Sequence, residues 1–437
     1  AGSDRDRAEA QRCRYRTLYM VRRKIQVSKL QVTIDPKEVG MSAERLKRID
    51  EHFRNYVDDG RLPGYTVTVA RYGQLAHVST YGMRDMESKL PTELDTMYRI
   101  ASMTKPITSI ACMMLVEEGK LQLTDPVSRF IPKFRHTQVY ESGTAQNPVL
   151  APMKEPMRIW HLLTHTSGLT YAHNYANVVD EMYRNAGIGL ISREEATLEE
   201  TCDRLADMPL VFEPGSSWIY GVSTDVLGRV IEVASGMSLS DFFQTRILQP
   251  LGMQDTGFWV PKEKQSRLAA VYTPDETGLK AVRMPSMEAT VLTQPKAFSG
   301  GGGLVSTAYD YWRFLQMLEN GGELDGARLI SPTTLDLMTK NHLPNHQDVS
   351  QFGRVVGEEV FYDGLGFGLG FAVVIDQAKT KVACSDGTFS WGGIFSTAFW
   401  IDPVEEITAT FYTQLMPSTT YPIRPFLRSM VYGAIIE

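Results

Sequence analysis

A chain of 437 residues, 43% hydrophobic and 22% charged, has the length and composition of an ordinary globular protein, either one large two-lobed domain or two domains. Its formal net charge of −6 argues against a nucleic-acid binder, and no apolar run reaches the roughly 18 residues that a membrane-spanning helix needs. The charge is uneven: residues 1–30 hold nine Lys/Arg and three Asp/Glu, a net of +6, which leaves −12 for the remainder.

The basic opening stretch lacks the apolar segment of a secretory signal, and reads as a poorly ordered N-terminal extension of a cytoplasmic protein. Cys13, Cys112, Cys202 and Cys384 stand far apart with no C-x-x-C pair. They read as free thiols in a reducing compartment, with Cys112 in the core. Residues 42–59 have an amphipathic helical pattern in which Leu46, Ile49, Phe53 and Tyr56 share one face, ended by Gly60 and Pro63-Gly64. Two alternating runs, 65–70 and 74–80, meet at Tyr72-Gly73 and predict a β-hairpin.

Next comes Ala101-Ser102-Met103-Thr104-Lys105-Pro106, followed by an apolar run over 107–116 that stops at Glu117-Glu118-Gly119. The run is apolar on nearly every face, so the helix is expected to be buried. Pro106 is tolerated in a first helical turn, which places Ser102 at the helix N-terminus, where the dipole favours developing negative charge. Ser102 and Lys105 are three apart, a spacing that puts both side chains on one helical face. A serine hydroxyl needs a base before it attacks, and burial of a nearby lysine penalises its ammonium form. The S-x-x-K pattern also occurs by chance, as a helix cap followed by a solvated lysine.

Residues from about 120 to 295 show helical patterns and long loops with few strand signals. Turn clusters mark the loops at Ser142-Gly143-Thr144 and Pro274-Asp275-Glu276-Thr277-Gly278. Strand character returns over 368–375, 394–401 and 407–412, and the chain closes on a predicted helix over 424–436. We expect a poorly ordered extension (1–30), an α/β domain of the α+β type (31–119 and 296–437) and an inserted, mostly helical domain (120–295). The antiparallel sheet would be built from both chain ends, and a cleft between the lobes is the natural ligand site.

Two more segments carry chemistry. One is Trp218-Ile219-Tyr220-Gly221-Val222-Ser223-Thr224-Asp225, after the turn Glu213-Pro214-Gly215; the other is Phe389-Ser390-Trp391-Gly392-Gly393-Ile394, which opens a predicted strand. With the Ser102 segment, and in this order and spacing, they resemble the serine hydrolases related to class C β-lactamases and penicillin-binding proteins. The best match is to the family VIII carboxylesterases. The stretches His161-Leu162-Leu163-Thr164-His165-Thr166-Ser167-Gly168-Leu169 and Gly300-Gly301-Gly302-Gly303-Leu304-Val305-Ser306-Thr307 add to the resemblance, which covers roughly residues 40 to 435.

The resemblance implies a β-lactamase-like fold with Ser102 as nucleophile, Lys105 as its partner and Tyr220 in the proton relay. The backbone N–H groups of Ser102 and Ile394 would form the oxyanion hole. Substrate would meet Trp391, Gly392, Gly393 and Val222. Two positions depart from the β-lactamases: Val222 stands where they have Asn, and Trp391-Gly392-Gly393 where they have Lys-Thr-Gly. The second change removes a cation and a hydroxyl that would grip a substrate carboxylate, so uncharged esters should suffer least; family VIII esterases carry the tryptophan too.

Other chemistries fit less well. His161 and His165 are spaced i, i+4 but lack the Glu of H-E-x-x-H, so no metal is expected. The run at 300–303 lacks the Lys-Ser/Thr of a phosphate loop and reads as a tight turn beside the site, and no G-x-S-x-G nucleophile elbow occurs. The expected function is a serine carboxylesterase that hydrolyses short-chain esters through an acyl-enzyme, with β-lactam hydrolysis as a side activity. It needs no cofactor, and its partner is a small-molecule ester or a β-lactam, with neither nucleic acid nor membrane involved. A β-lactamase or D,D-peptidase, an acyltransferase and a non-catalytic ligand-binding relative are the alternatives.

Overall fold

The computed structural model describes residues 30–32, 34–191, 195–353 and 363–437. The basic stretch, Leu30 apart, and Cys13 lie outside the described residues. The architecture is an eight-stranded antiparallel sheet between helical layers, continued by a lobe of short helices. In sheet order the strands are Leu365–Phe367, Ala372–Val374, Phe389–Gly393, Thr397–Asp402, Ile407–Tyr412, Gly64–Arg71, Gln74–Asp85 and Leu90–Pro91. The first long strand therefore pairs with the last, from Thr66 opposite Tyr412 to Arg71 opposite Ile407. Thr68 and Thr410, 342 residues apart, share a buried hydroxyl–hydroxyl hydrogen bond of 2.6 Å.

Each face of the sheet is covered. The helix Ala43–Asp58 lies on one face with Leu46, Ile49, Phe53 and Tyr56 inward, capped by the Ser42 hydroxyl. It packs there with the closing helix Ile423–Gly433, and the Phe53 and Phe411 rings are 4.7 Å apart. On the other face lies the helix Ala308–Glu319, its Tyr311 ring 5.5 Å from that of Phe399. The helix Thr104–Glu117 is buried at every position from Thr104 to Leu115, as its apolar run requires. Its few polar side chains find partners in the loop at 300–304. Thr108 Oγ1 donates to the Gly300 carbonyl at 2.7 Å, and Thr104 Oγ1 accepts the Leu304 N–H at 3.1 Å. Cys112, Cys202 and Cys384 are buried free thiols. No helix among the described residues is long and apolar enough to cross a membrane.

Three local expectations change. The supposed loops at 142–144 and 274–278 are the tips of hairpins, Gln138–Gly143 with Pro148–Pro152 and Tyr272–Pro274 with Ala281–Arg283. These ribbons stand away from the main sheet and bury neither face fully, so they carry no alternating pattern. The predicted strand over 368–375 is shorter, Ala372–Val374, because Gly368 and Gly370 turn the chain under the Thr104–Glu117 helix; a Cβ on Gly370 would stand 2.1 Å from Ser109 Oγ. The strand expected over 394–401 begins only at Thr397, since residues 394–396 make a turn closed by the Ser396 N–H on the Gly393 carbonyl.

The two histidines have packing roles. The His165 ring lies tilted against that of Tyr220, their centroids 4.9 Å apart, and burial followed by the charge of Lys105 holds its pKa well below the usual value. His161 starts the helix Ile159–Leu163 by accepting the Arg158 N–H on Nδ1 at 2.9 Å. It is 4% exposed, and burial, with a contribution from Arg158, pushes its pKa down to about 4. The unfolded chain takes up this proton near pH 6.5 and the folded chain only near 4. The stability tied to neutral His161 is therefore present above pH 6.5 and is lost as pH falls toward 4. His161→Asn keeps a cap acceptor without that titration. In urea unfolding, the wild type should lose about 2 kcal/mol relative to the variant between pH 7.5 and 5; parallel pH profiles would count against it.

Candidate active site

Ser102 sits in a one-turn 3-10 segment, Ala101–Met103, that leads directly into the helix Thr104–Glu117. The residue before it, Ala101, has a left-handed backbone (φ 44), a conformation that costs a non-glycine residue about 1 kcal/mol or more. Three contacts hold the turn: Thr104 Oγ1 donates to the Ala101 carbonyl at 2.6 Å, the Ile100 N–H to Leu304 O at 3.1 Å, and Tyr311 Oη to Met103 O at 2.9 Å. The strand Phe389–Gly393 runs alongside. A Cβ on Gly393 would stand 2.5 Å from the Ile100 carbonyl, so glycine is what lets the strand come this close.

Lys105 is 1% exposed, and its Nζ is held by polar contacts from separate stretches of the chain. These include Ser102 Oγ at 3.2 Å, Tyr171 Oη at 3.1 Å and the Gly301 carbonyl at 2.6 Å. The set suits either protonation state. An ammonium donates to all three; a neutral amine keeps two donors and accepts the Ser102 proton on its lone pair. Nζ also lies over the face of the Tyr220 ring, 4.6 Å from its centroid. Tyr220 Oη accepts a hydrogen bond from Trp391 Nε1 at 3.2 Å. Trp391 is thus more than a wall, because its indole N–H supports electron density on the Tyr220 oxygen.

A buried carboxylate completes the electrostatics. Asp225 Oδ1 accepts from Ser299 Oγ at 2.5 Å and from the Gly301 N–H at 3.1 Å. Burial raises its pKa, and the charge of Lys105 works in the opposite direction. Gly301 therefore links the two, its N–H on Asp225 and its carbonyl on Lys105. A Cβ at 301 would stand 2.3 Å from Asp225 Oδ2.

Ser102, Tyr220, Trp391, Gly392 and Ile394 line one cavity of about 490 Å³, with Tyr171, Asp225 and residues 301–303 also in its wall. Lys105 meets it from behind, through Ser102 and Tyr171. Two expected substrate contacts fall elsewhere. Val222 does not line the cavity; it caps the helix Ser223–Ser235 from within the core at 1% exposure. Gly393 faces the Ser102 turn and is also not in the wall. Conversely, Tyr171 and Asp225 went unnoticed as site residues. Tyr171 follows the His161–Leu169 stretch by two residues, and Asp225 closes the quoted Trp218–Asp225 segment, five past Tyr220, but neither stands at a spacing that marks a role.

Tyr171→Phe removes a hydrogen-bond partner of a buried amine, a loss of about 1–3 kcal/mol. We expect kcat/KM on an activated ester to fall about ten- to a hundredfold, mostly in kcat. The same change made on Lys105→Ala should cost little more, because the hydroxyl acts through that amine. Equal losses in both backgrounds would mean that Tyr171 acts independently of Lys105.

The chain is similar to known proteins along most of its length. The β-lactamase family profile matches residues 49–428. Esterase EstB of Burkholderia gladioli is 33% identical over 92% of this chain and 99% of its own length. Protein Rv1367c of Mycobacterium tuberculosis is 36% identical over 83% of this chain and 88% of its own. Among solved structures, EstCE1, described as a hydrolase with promiscuous acyltransferase activity, superposes with a TM-score of 0.74 at 27% identity, covering 92% of this chain and 99% of that one. With a family match across most of its length, the chain belongs to the β-lactamase family of serine hydrolases, on the branch of the family VIII esterases.

Proposed function

We propose that this protein is a serine carboxylesterase of the Ser-Lys-Tyr type, hydrolysing short-chain carboxylic esters. The observation that carries the reading is the 3.2 Å contact between Ser102 Oγ and the buried Lys105 Nζ, at the wall of a cavity that Tyr220 also lines. Ser102 Oγ attacks the ester carbonyl and gives its proton to the Lys105–Tyr220 pair. The carbonyl oxygen takes up negative charge against the N–H groups of Ser102 and Ile394. The intermediate collapses by breaking the bond to the alkoxy oxygen, and the alcohol leaves with a proton returned by Tyr220. Water then attacks the acyl-enzyme, gives a proton back through the same pair, and releases the acid with Ser102 restored.

The likeness to Esterase EstB supports ester over β-lactam substrates. A second reading, acyl transfer to an alcohol, draws on the cavity: about 490 Å³ leaves room for an acceptor beside a short acyl group. Adding an acceptor alcohol to the ester assay and looking for the new ester separates transfer from hydrolysis.

Ser102→Ala should lose nearly all ester turnover while staying folded, and a fluorophosphonate should label Ser102 in the wild type. A label mapped by mass spectrometry to another serine would refute the assignment, and absence of any label would favour a non-catalytic relative. Trp391→Phe keeps an aromatic wall but removes the donor to Tyr220. We expect about a fivefold fall in kcat for 4-nitrophenyl butyrate, with KM nearly unchanged, from the loss of about 1 kcal/mol at the relay. A change in KM alone would reduce Trp391 to a wall residue. Run beside it, nitrocefin should be turned over far more slowly than the ester.

A further inference from the structure

Trp391-Gly392-Gly393 lacks the cation that related enzymes place on this strand, yet the fold brings another to the same spot. Arg424 stands in the first turn of the closing helix Ile423–Gly433, and its guanidinium lies against Gly392. A Cβ on Gly392 would be 2.3 Å from Nη2 and 2.5 Å from Cζ, so the guanidinium fills the room a side chain there would need. Nη2 donates to the carbonyls of Gly393 and Thr397, each at 3.3 Å. These are long bonds that hold the group in place beside the strand bearing Trp391. Gly392 and Arg424 both line the cavity that contains Ser102 and Tyr220.

A second guanidinium adds to the field. Arg99 lines the same cavity at 4% exposure, donates to the carbonyls of Ala269 and Glu288, and has no hydrogen-bond partner for Nε among the described residues. Asp225, the acidic side chain among the described lining residues, is turned to Ser299 and Gly301 on the Lys105 side. The described wall of the cleft thus holds two arginines against one carboxylate, with the charge of Glu288 beside Arg99. A half-buried guanidinium recognises a carboxylate with two parallel hydrogen bonds and is screened less than a surface charge.

We infer that Arg424 binds an anionic group on the substrate, and that the preferred esters carry a carboxylate in their acyl or alcohol part. This rests on the esterase reading of Ser102. It reverses the expectation from the sequence that uncharged esters are favoured, because the missing cation comes from a helix that no motif marks.

The test uses two matched pairs of esters. 4-Nitrophenyl hydrogen adipate against 4-nitrophenyl methyl adipate puts the charge in the acyl part. 3-Carboxyphenyl butyrate against its methyl ester puts it in the leaving group. In one pair the acid should have the higher kcat/KM, and its KM should rise with added salt while that of the methyl ester stays level. Arg424→Gln should cut the acid-to-methyl-ester ratio by about ten- to a hundredfold, the range of a lost charge-assisted hydrogen bond. Arg424→Lys should keep part of the preference. No acid preference in either pair of the wild type, or equal shifts of both members in Arg424→Gln, would overturn the inference and leave Arg424 a prop for two carbonyls. The acid preference and its salt dependence are read on the unaltered protein, so their absence overturns the inference even if Arg424→Gln fails to fold, and Arg99→Lys, which keeps the charge, should leave the preference in place. Turnover that survives in Ser102→Ala would overturn the nucleophile assignment as well, whereas hydrolysis of the methyl esters alone defeats only the role of Arg424.

Discussion

The site depends on how one amine is held where water does not reach it. A buried lysine is costly unless its hydrogen-bonding capacity is met, and Lys105 meets it with oxygens from three stretches of chain. Ser102 belongs to the same local turn, Tyr171 comes from the helical lobe 66 residues on, and Gly301 from a loop 196 residues away. Asp225 stands behind Gly301 and ties that loop to the helix after Tyr220. The amine is therefore poised for proton transfer only when both lobes are packed. Its placement is the common product of the whole fold.

The sheet side of the cleft follows from close approach. Gly393 lets its strand reach the Ser102 turn, and Gly392 leaves room for Arg424. Between these approaches the strand presents one large side chain, Trp391, whose ring meets those of Tyr220 and Phe367 at about 5 Å and whose N–H reaches the Tyr220 oxygen. Where the β-lactamases carry a lysine, this strand thus meets Tyr220 with a neutral donor.

Much of this was legible in the sequence, where periodicity or a fixed spacing carries the information. The helix after Ser102 was recognisable as buried because its apolar residues leave no polar face, and the helix with Leu46, Ile49, Phe53 and Tyr56 because they recur at helical intervals. Ser102, Lys105 and Tyr220 were marked by segments whose order along the chain matters more than any one motif. Tyr171, Asp225 and Arg424 were not legible, since each acts through a tertiary contact that nothing local encodes. Val222 was misplaced for the related reason that a position in a motif does not say which way its side chain turns; here it turns into the core. The strand pattern misled where Gly368 and Gly370 interrupt a run of apolar residues, because a glycine that permits a turn and one that permits a close approach look alike in sequence.

The pairing of Gly64–Arg71 with Ile407–Tyr412 has a consequence for how the protein is made. A chain emerging from the ribosome exposes its first long hairpin early, while the neighbour that covers one edge of it arrives more than three hundred residues later. At translation rates of about 5–20 residues per second, that edge stays open for tens of seconds. Contacts of such long range also fold slowly once the chain is complete. During this interval the helix Thr104–Glu117, apolar on almost every side, lacks the later stretch at 300–304 that it packs against. The nascent chain thus carries an open strand edge and an uncovered apolar helix together, and protection by a chaperone matters most in that interval.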